Sequence, residues 1–177
     1  MMNPQQFKDN YFPHLGQQIW LASCSIAPTS TSLSRSLNMM AQSLSGETLP
    51  WHYFEKKVTE LREGVASLIN AKPEQIALQP SASVCAYQII TTTNCQALLY
   101  SNDEFPSIAN VWQAQAPHDI AVEHGAIEEI RQRLSSPCKP ELISMPAVSY
   151  LSGKRLPIEE ITELSQRHGV RIAIDAY

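Results

Sequence analysis

Four short apolar runs, at residues 97–100, 120–122, 142–145 and 170–174, alternate with stretches in which apolar residues recur at three- and four-residue steps. A strand that is apolar throughout must be covered on both faces, and a helix between two such strands brings the second back parallel to the first. The expected fold class is α/β, a mostly parallel sheet with helices on both faces. Ile76-Ala77-Leu78-Gln79-Pro80 reads as a further short strand at the start of the series.

The intervening helices carry their own start and stop signals. Phe54, Val58, Leu61, Val65 and Leu68 line one helical face that ends near Asn70 and Pro73. Ser81 or Ser83 can cap the next helix, whose Val84, Cys85, Ala86, Tyr87, Ile89 and Ile90 are apolar nearly all round, as suits burial against a sheet. Pro106 fits a first helical position ahead of Ile108, Val111 and Trp112, and Ile127, Ile130 and Leu134 mark another amphipathic helix. The last helix has Pro157 near its start, Glu159 and Glu160 in its first turn, His168 in its last, and Gly169 as its cap.

Residues 1–50 differ in character. The stretch 23–45 is rich in Ser, Thr, Asn and Gln, is broken by Pro28, and offers only Leu33, Leu37, Met40 and Leu44 at helical spacing. It reads as an extended arm with one short helix, which leaves residues 51–177 as the sheet-bearing domain. A chain of 177 residues, 44% hydrophobic, is long enough to bury a core. Its net charge of -4, with no cluster of Lys and Arg, argues against nucleic acid as a partner. No apolar stretch approaches the roughly 20 residues that span a bilayer, and the N-terminus lacks a basic-then-apolar signal, so no membrane partner and a cytoplasmic location are expected. Cys24, Cys85, Cys95 and Cys138 have neither metal nor redox spacing and are expected to be reduced and buried. His14, His52, His118, His124 and His168 are too dispersed for a zinc site.

Chemistry in such a sheet belongs at the carboxyl ends of the strands, where open α/β folds bind ligands. The chain contains no G-x-x-x-x-G-K-S/T, no G-x-G-x-x-G and no G-x-S-x-G, which removes P-loop, dinucleotide-binding and α/β-hydrolase readings. Three places remain. Pro80-Ser81-Ala82-Ser83 is either a plain helix cap or a phosphate cradle of free N–H groups and hydroxyls. Phe105, in Asp103-Glu104-Phe105-Pro106-Ser107, either packs into the core or lies over a flat ligand. Asp175, directly after the run 170–174, either caps a following helix or faces a cationic ring nitrogen.

In this order on successive strand ends, these residues resemble the class V aminotransferase family of pyridoxal-phosphate-dependent enzymes, of fold type I, which includes cysteine desulfurase-like and kynureninase-like members. The resemblance implies a pyridoxal 5'-phosphate cofactor whose phosphate meets the Ala82 backbone and the Ser83 hydroxyl. It implies a pyridine ring stacked on Phe105, with its nitrogen paired to Asp175. Ala147-Val148-Ser149-Tyr150-Leu151-Ser152-Gly153 resembles the family's loop beside the cofactor, which puts Ser149 and Tyr150 near the ring or the substrate. Such enzymes act on amino acids by transamination, desulfuration or lyase chemistry, all drawing on the cofactor as an electron sink. Phe105, where desulfurases usually carry His, tilts the resemblance toward kynureninase-like members.

The resemblance runs from about Ile19 to Tyr177 and covers the first half of such an enzyme, an incomplete cofactor-binding large domain. The family's Schiff-base lysine would follow Asp175, whereas Lys154 precedes it and is read as a solvated loop lysine. No catalytic residue is therefore assigned, and the expectation is a truncated enzyme that is inactive alone, from a family whose full-length members are homodimers. The alternative is a non-catalytic fragment or binding module that acts through a partner chain.

Overall fold

The structure, a computed structural model, describes residues 2–46, 51–115 and 119–177. It divides into two units, the first ending at Ala77 and the second beginning at Leu78. The division falls later in the chain than the change of composition near Pro50, which itself lies outside the described residues, as does His118.

The first unit is helical. Helix α1 (Pro4–Tyr11) opens with Asn3, whose side chain accepts from the Gln6 amide while the Gln6 side chain returns to the Asn3 amide. Periodicity alone gave no sign of this helix, because it has no apolar stripe and depends on its cap. Helix α2 (Thr31–Leu44) starts where the Ser30 hydroxyl accepts from the Leu33 amide at 3.0 Å, and it contains the expected Leu33, Leu37, Met40 and Leu44. Helix α3 (Trp51–Leu68) stops at Asn70, which takes a left-handed conformation with φ 54°. There the Ala71 amide donates back to the Ala66 carbonyl at 2.8 Å, the closing bond of a helix whose last residues turn left-handed.

The expected strand at 76–80 does not form. Ile76 is extended, but its carbonyl accepts from the Arg62 Nε at 3.2 Å, and among the described residues no strand pairs with the segment. An extended apolar run becomes a strand only where a neighbour supplies the ladder, and Pro80 has no N–H to offer one.

The second unit holds the sheet. Strands β1 (Ala97–Ser101), β2 (Ala121–Gly125), β3 (Leu142–Pro146) and β4 (Arg171–Asp175) lie in the order β2-β1-β3-β4, all parallel. They are joined to helices α4 (Ala82–Thr93), α5 (Pro106–Gln113), α6 (Ile127–Leu134) and α7 (Ile158–Arg167). Side chains alternate along each strand, so the sheet builds two cores. On one face Leu99, Ile143 and Met145 pack with Ile127, Ile130, Leu134 and Ile161 from α6 and α7. On the other, Leu98, Tyr100 and Leu142 pack with Ala86, Ile90, Ile108 and Trp112 from α4 and α5. The fold is α/β with helices on both faces, as the alternation requires.

Two sequence expectations need correction. Helix α4 is buried only at Ala86 and Ile90, and Tyr87 faces outward, because one sheet face covers one helical stripe and not the whole circumference. Of the cysteines only Cys95, packed between α4 and β1, is buried; Cys85 is half-buried, and Cys24 and Cys138 lie exposed in segments that no core covers. Among the described residues no helix is long and apolar enough to cross a membrane.

Candidate functional site

Chain order fixes where a ligand site belongs. β1 connects to β2 through α5 on one face, and β2 then reaches β3 through α6 on the other, so the crossovers change side between the adjacent strands β1 and β3. At such a switch point the connections part and leave a crevice beyond the carboxyl ends of the strands. Helix α4 aims its beginning toward that end. Its last turn is held at the amino end of β4, where the Arg171 Nη1 donates to the Thr93 carbonyl at 2.5 Å, and the helix runs back from there.

Ala82 and Ser83 are the first two residues of α4, directly after its cap. The cap is Ser81, whose hydroxyl accepts from the Val84 amide at 3.3 Å. The Ser83 hydroxyl, half-buried, has no hydrogen-bond partner among the described residues. The amides of a first helical turn have no partner within the helix.

Phe105 sits between β1 and α5, just ahead of Pro106, and its carbonyl accepts from the Ile108 and Ala109 amides, both at 3.0 Å. Phe105 is 45% exposed, which removes the core-packing reading. It meets Tyr150 edge-to-face, with centroids 5.2 Å apart and planes at 75°. Tyr150 belongs to the loop that leaves β3, where Val148 and Arg155 form an isolated antiparallel bridge. Ser149, buried in that loop, donates its amide to the Lys154 carbonyl at 2.9 Å, and its hydroxyl accepts from the Ser152 amide at 3.4 Å. Gly153 closes the loop at φ 68°, a conformation that a side chain disfavours.

Asp175 ends β4 with its carboxylate half-buried. One oxygen accepts from the Tyr177 amide at 3.2 Å, and its backbone carbonyl accepts from the Ala147 amide at 2.7 Å, which ties the Tyr150 loop to the strand end.

Between Phe105 and Asp175 stands a residue to which the sequence gave no role. Glu104 is only 4% exposed; one carboxyl oxygen accepts from the Ser144 hydroxyl on β3 at 2.5 Å, and the other from the Phe105 amide at 3.1 Å. Burial holds its carboxyl above the usual range, the two hydrogen bonds pull it down by less, and the negative charge of Asp175 pushes it up further. Nothing in the local sequence at Asp103-Glu104 signals this burial, which only the long-range contact with Ser144 reveals.

The structure therefore brings Phe105 onto Tyr150, ties the loop of Ser149 and Tyr150 to the Asp175 strand end, and sets Asp175 within electrostatic reach of Glu104. Ala82 and Ser83 open the helix whose start faces this sheet end, and among the described residues no hydrogen bond joins their side chains to these groups. Nearby, His124 pairs with Asn102 through Nδ1 and Oδ1 at 2.7 Å, and Tyr100 accepts from Gln113 Nε2 at 2.6 Å. Among the described residues no group of His, Cys, Asp and Glu is arranged to hold a metal ion.

Comparison with known proteins follows the same outline. The chain is 29% identical over 182 residues to the uncharacterized aminotransferase YcbU of Bacillus subtilis (strain 168), covering 98% of this chain and 48% of the relative. A lysine mutant of C-DES with glycine covalently linked to its PLP cofactor has a TM-score of 0.79 at 17% identity, over 95% of this chain and 49% of that one. The apo cysteine desulfurase from Thermococcus onnurineus NA1 has a TM-score of 0.78 at 16% identity, over 99% of this chain and 48% of that one. No protein-family model matches the chain. The chain spans about half the length of the relatives it matches. It is similar to one half of a class V aminotransferase and has the corresponding part of the fold type I architecture.

Proposed function

We propose that this chain is part of a pyridoxal-phosphate-dependent enzyme acting on an amino acid, by transamination, desulfuration or lyase chemistry, and that it supplies the non-covalent half of the cofactor site. The observation that carries this reading is the gathering of Phe105, Tyr150, Glu104 and Asp175 at the β1–β3 switch point of a sheet with this fold. The similarity to YcbU along nearly the whole chain supports it independently.

The residues suit the group. Free amides at Ala82 and Ser83 and the unengaged Ser83 hydroxyl are donors for a phosphate, which the helix start also favours by its positive end. Phe105 offers one ring face while Tyr150 braces its edge. Asp175 keeps one carboxylate oxygen free of protein partners among the described residues, available to hold a proton at a ring nitrogen. When bound, the cofactor supplies an electron sink for negative charge at the substrate's alpha carbon, and a protonated ring nitrogen deepens that sink. By the resemblance Ser149 and Tyr150 stand near the ring or the substrate; Tyr150 can do so through its exposed ring, and Ser149 by holding the loop that carries it, through its buried hydroxyl.

Titration with pyridoxal 5'-phosphate, followed by the cofactor's absorbance, tests the reading. Saturable binding is expected. Asp175→Asn should weaken it by at least about tenfold, the equivalent of roughly 1.4 kcal/mol, since loss of one partner strands the other's charge. Phe105→Ala should cost less, about 0.5–1.5 kcal/mol. Borohydride reduction should leave no adduct on Lys154. Absence of saturable binding, or wild-type affinity in Asp175→Asn, would overturn the proposal.

A further inference from the structure

Among the described residues Glu104 is the one buried acid, and no role yet stated accounts for it. A carboxyl in that position is unfavourable for folding unless both oxygens are satisfied, and here they are, by groups from two different elements. Ser144 reaches across from β3, and the Phe105 amide comes from the turn after β1. The Glu104 amide in turn donates to the Ser101 carbonyl at 3.0 Å, which closes the turn on β1 itself. The contacts form a bridge across the β1–β3 seam, just where the two strands separate.

We propose that Glu104 is a positioning residue of this site: through Ser144 and the Phe105 amide it fixes the turn that carries Phe105 to β3, next to the strand that ends in Asp175. The inference rests on the cofactor reading above and deepens it. The bridge acts through charge as well as shape. Asp175, at the end of β4, is the acid that reaches Glu104; Asp103 neighbours it in its own turn, β3 offers the neutral Ser144 hydroxyl, and on the β2 side His124 is engaged by Asn102. Burial and Asp175 both favour the neutral carboxyl. A neutral Glu104 carries its proton on the oxygen that faces Ser144, donates it to the Ser144 hydroxyl oxygen and still accepts from the Phe105 amide, so the bridge persists without a second charge beside Asp175. An ionised Glu104 sets a second anion beside it, in a site that must also accept a phosphate.

Glu104→Gln preserves the shape and removes the titration; Ser144→Ala removes the cross-strand contact and keeps the carboxyl. With side-chain-labelled glutamate and amide-labelled protein, the Glu104 carboxyl should titrate above the ordinary range with the Phe105 amide shift following at the same midpoint, and Asp175→Asn should lower that midpoint. Over and above the ligand's own phosphate ionisation at about pH 6, affinity for pyridoxal 5'-phosphate should fall roughly tenfold as pH rises through the midpoint in the wild type; Glu104→Gln should lose this component, and Ser144→Ala should be reduced at every pH. A Phe105 amide indifferent to the Glu104 titration, or a Glu104→Gln profile that retains the wild-type pH dependence, would overturn the inference. If the wild type binds no cofactor, the preceding proposal fails, while the amide titration still decides whether Glu104 holds the turn.

Discussion

In the unit from Leu78 onward, Leu99, Ile130, Ile143 and Ile161 are buried between strands and helices; in the unit up to Ala77, Leu15 and Ala66 are the only buried hydrophobic residues among those described. Both regions carry apolar residues at helical spacing. Leu33, Leu37, Met40 and Leu44 in α2, and Val58, Leu61 and Leu68 in α3, nonetheless remain exposed. The difference teaches that periodicity announces which face of a helix could be buried, whereas burial itself needs a second apolar surface. In the sheet unit each strand supplies two such surfaces.

Core truncations should divide along this line. Ile143→Ala removes a side chain enclosed on the α6–α7 face and should cost about 2–5 kcal/mol in chemical denaturation, while Leu37→Ala, half exposed on α2, should cost under about 1 kcal/mol. Comparable losses would show that the helical unit has a core of its own. Next in size, Ser81→Ala removes the cap of α4 and should lower stability by about 1 kcal/mol, a loss that belongs to the sheet unit because α4 packs on it.

The smallest effect sharpens the comparison inside the sheet unit. The Glu104 carboxyl is held above its ordinary range in the folded state. As pH rises past the unfolded value the unfolded chain releases this proton first, so stability declines until the folded group also ionises, and levels off above that. Glu104→Gln should lack the decline. Its stability relative to wild type should therefore grow with pH across this window in denaturation series, and a constant difference would refute a raised Glu104.

β1 and β3 were legible because they are apolar almost throughout, whereas β2 was legible only at Ala121 and Val122, since Glu123 and His124 continue it as a polar edge strand; Gly169, left-handed at φ 66° after α7, was legible because few other residues stop a helix so readily. The run 76–80 has the same local appearance and forms no strand, since pairing is a property of two segments and the sequence shows one at a time. Phe105 and Asp175 could be placed at strand ends from pattern alone. Their surroundings could not. Ser144 lies 40 residues from Glu104, and neither residue signals the other. Tyr150 likewise joins Phe105 only because the loop after β3 turns back on itself at Gly153.

The register of the sheet has one more consequence. β1 keeps company with β2 to the level of Ser101 and Gly125, and the Asn102 amide adds one bond beyond, but it parts from β3 after Tyr100 and Ser144. β3 and β4 continue together to Pro146 and Asp175. The carboxyl edge is thus split like a partly opened zipper, with Glu104 as the stitch above the last closed tooth. Amide exchange along β1 and β3 should quicken from this split downward when the stitch is cut, while the β3–β4 pair keeps its protection.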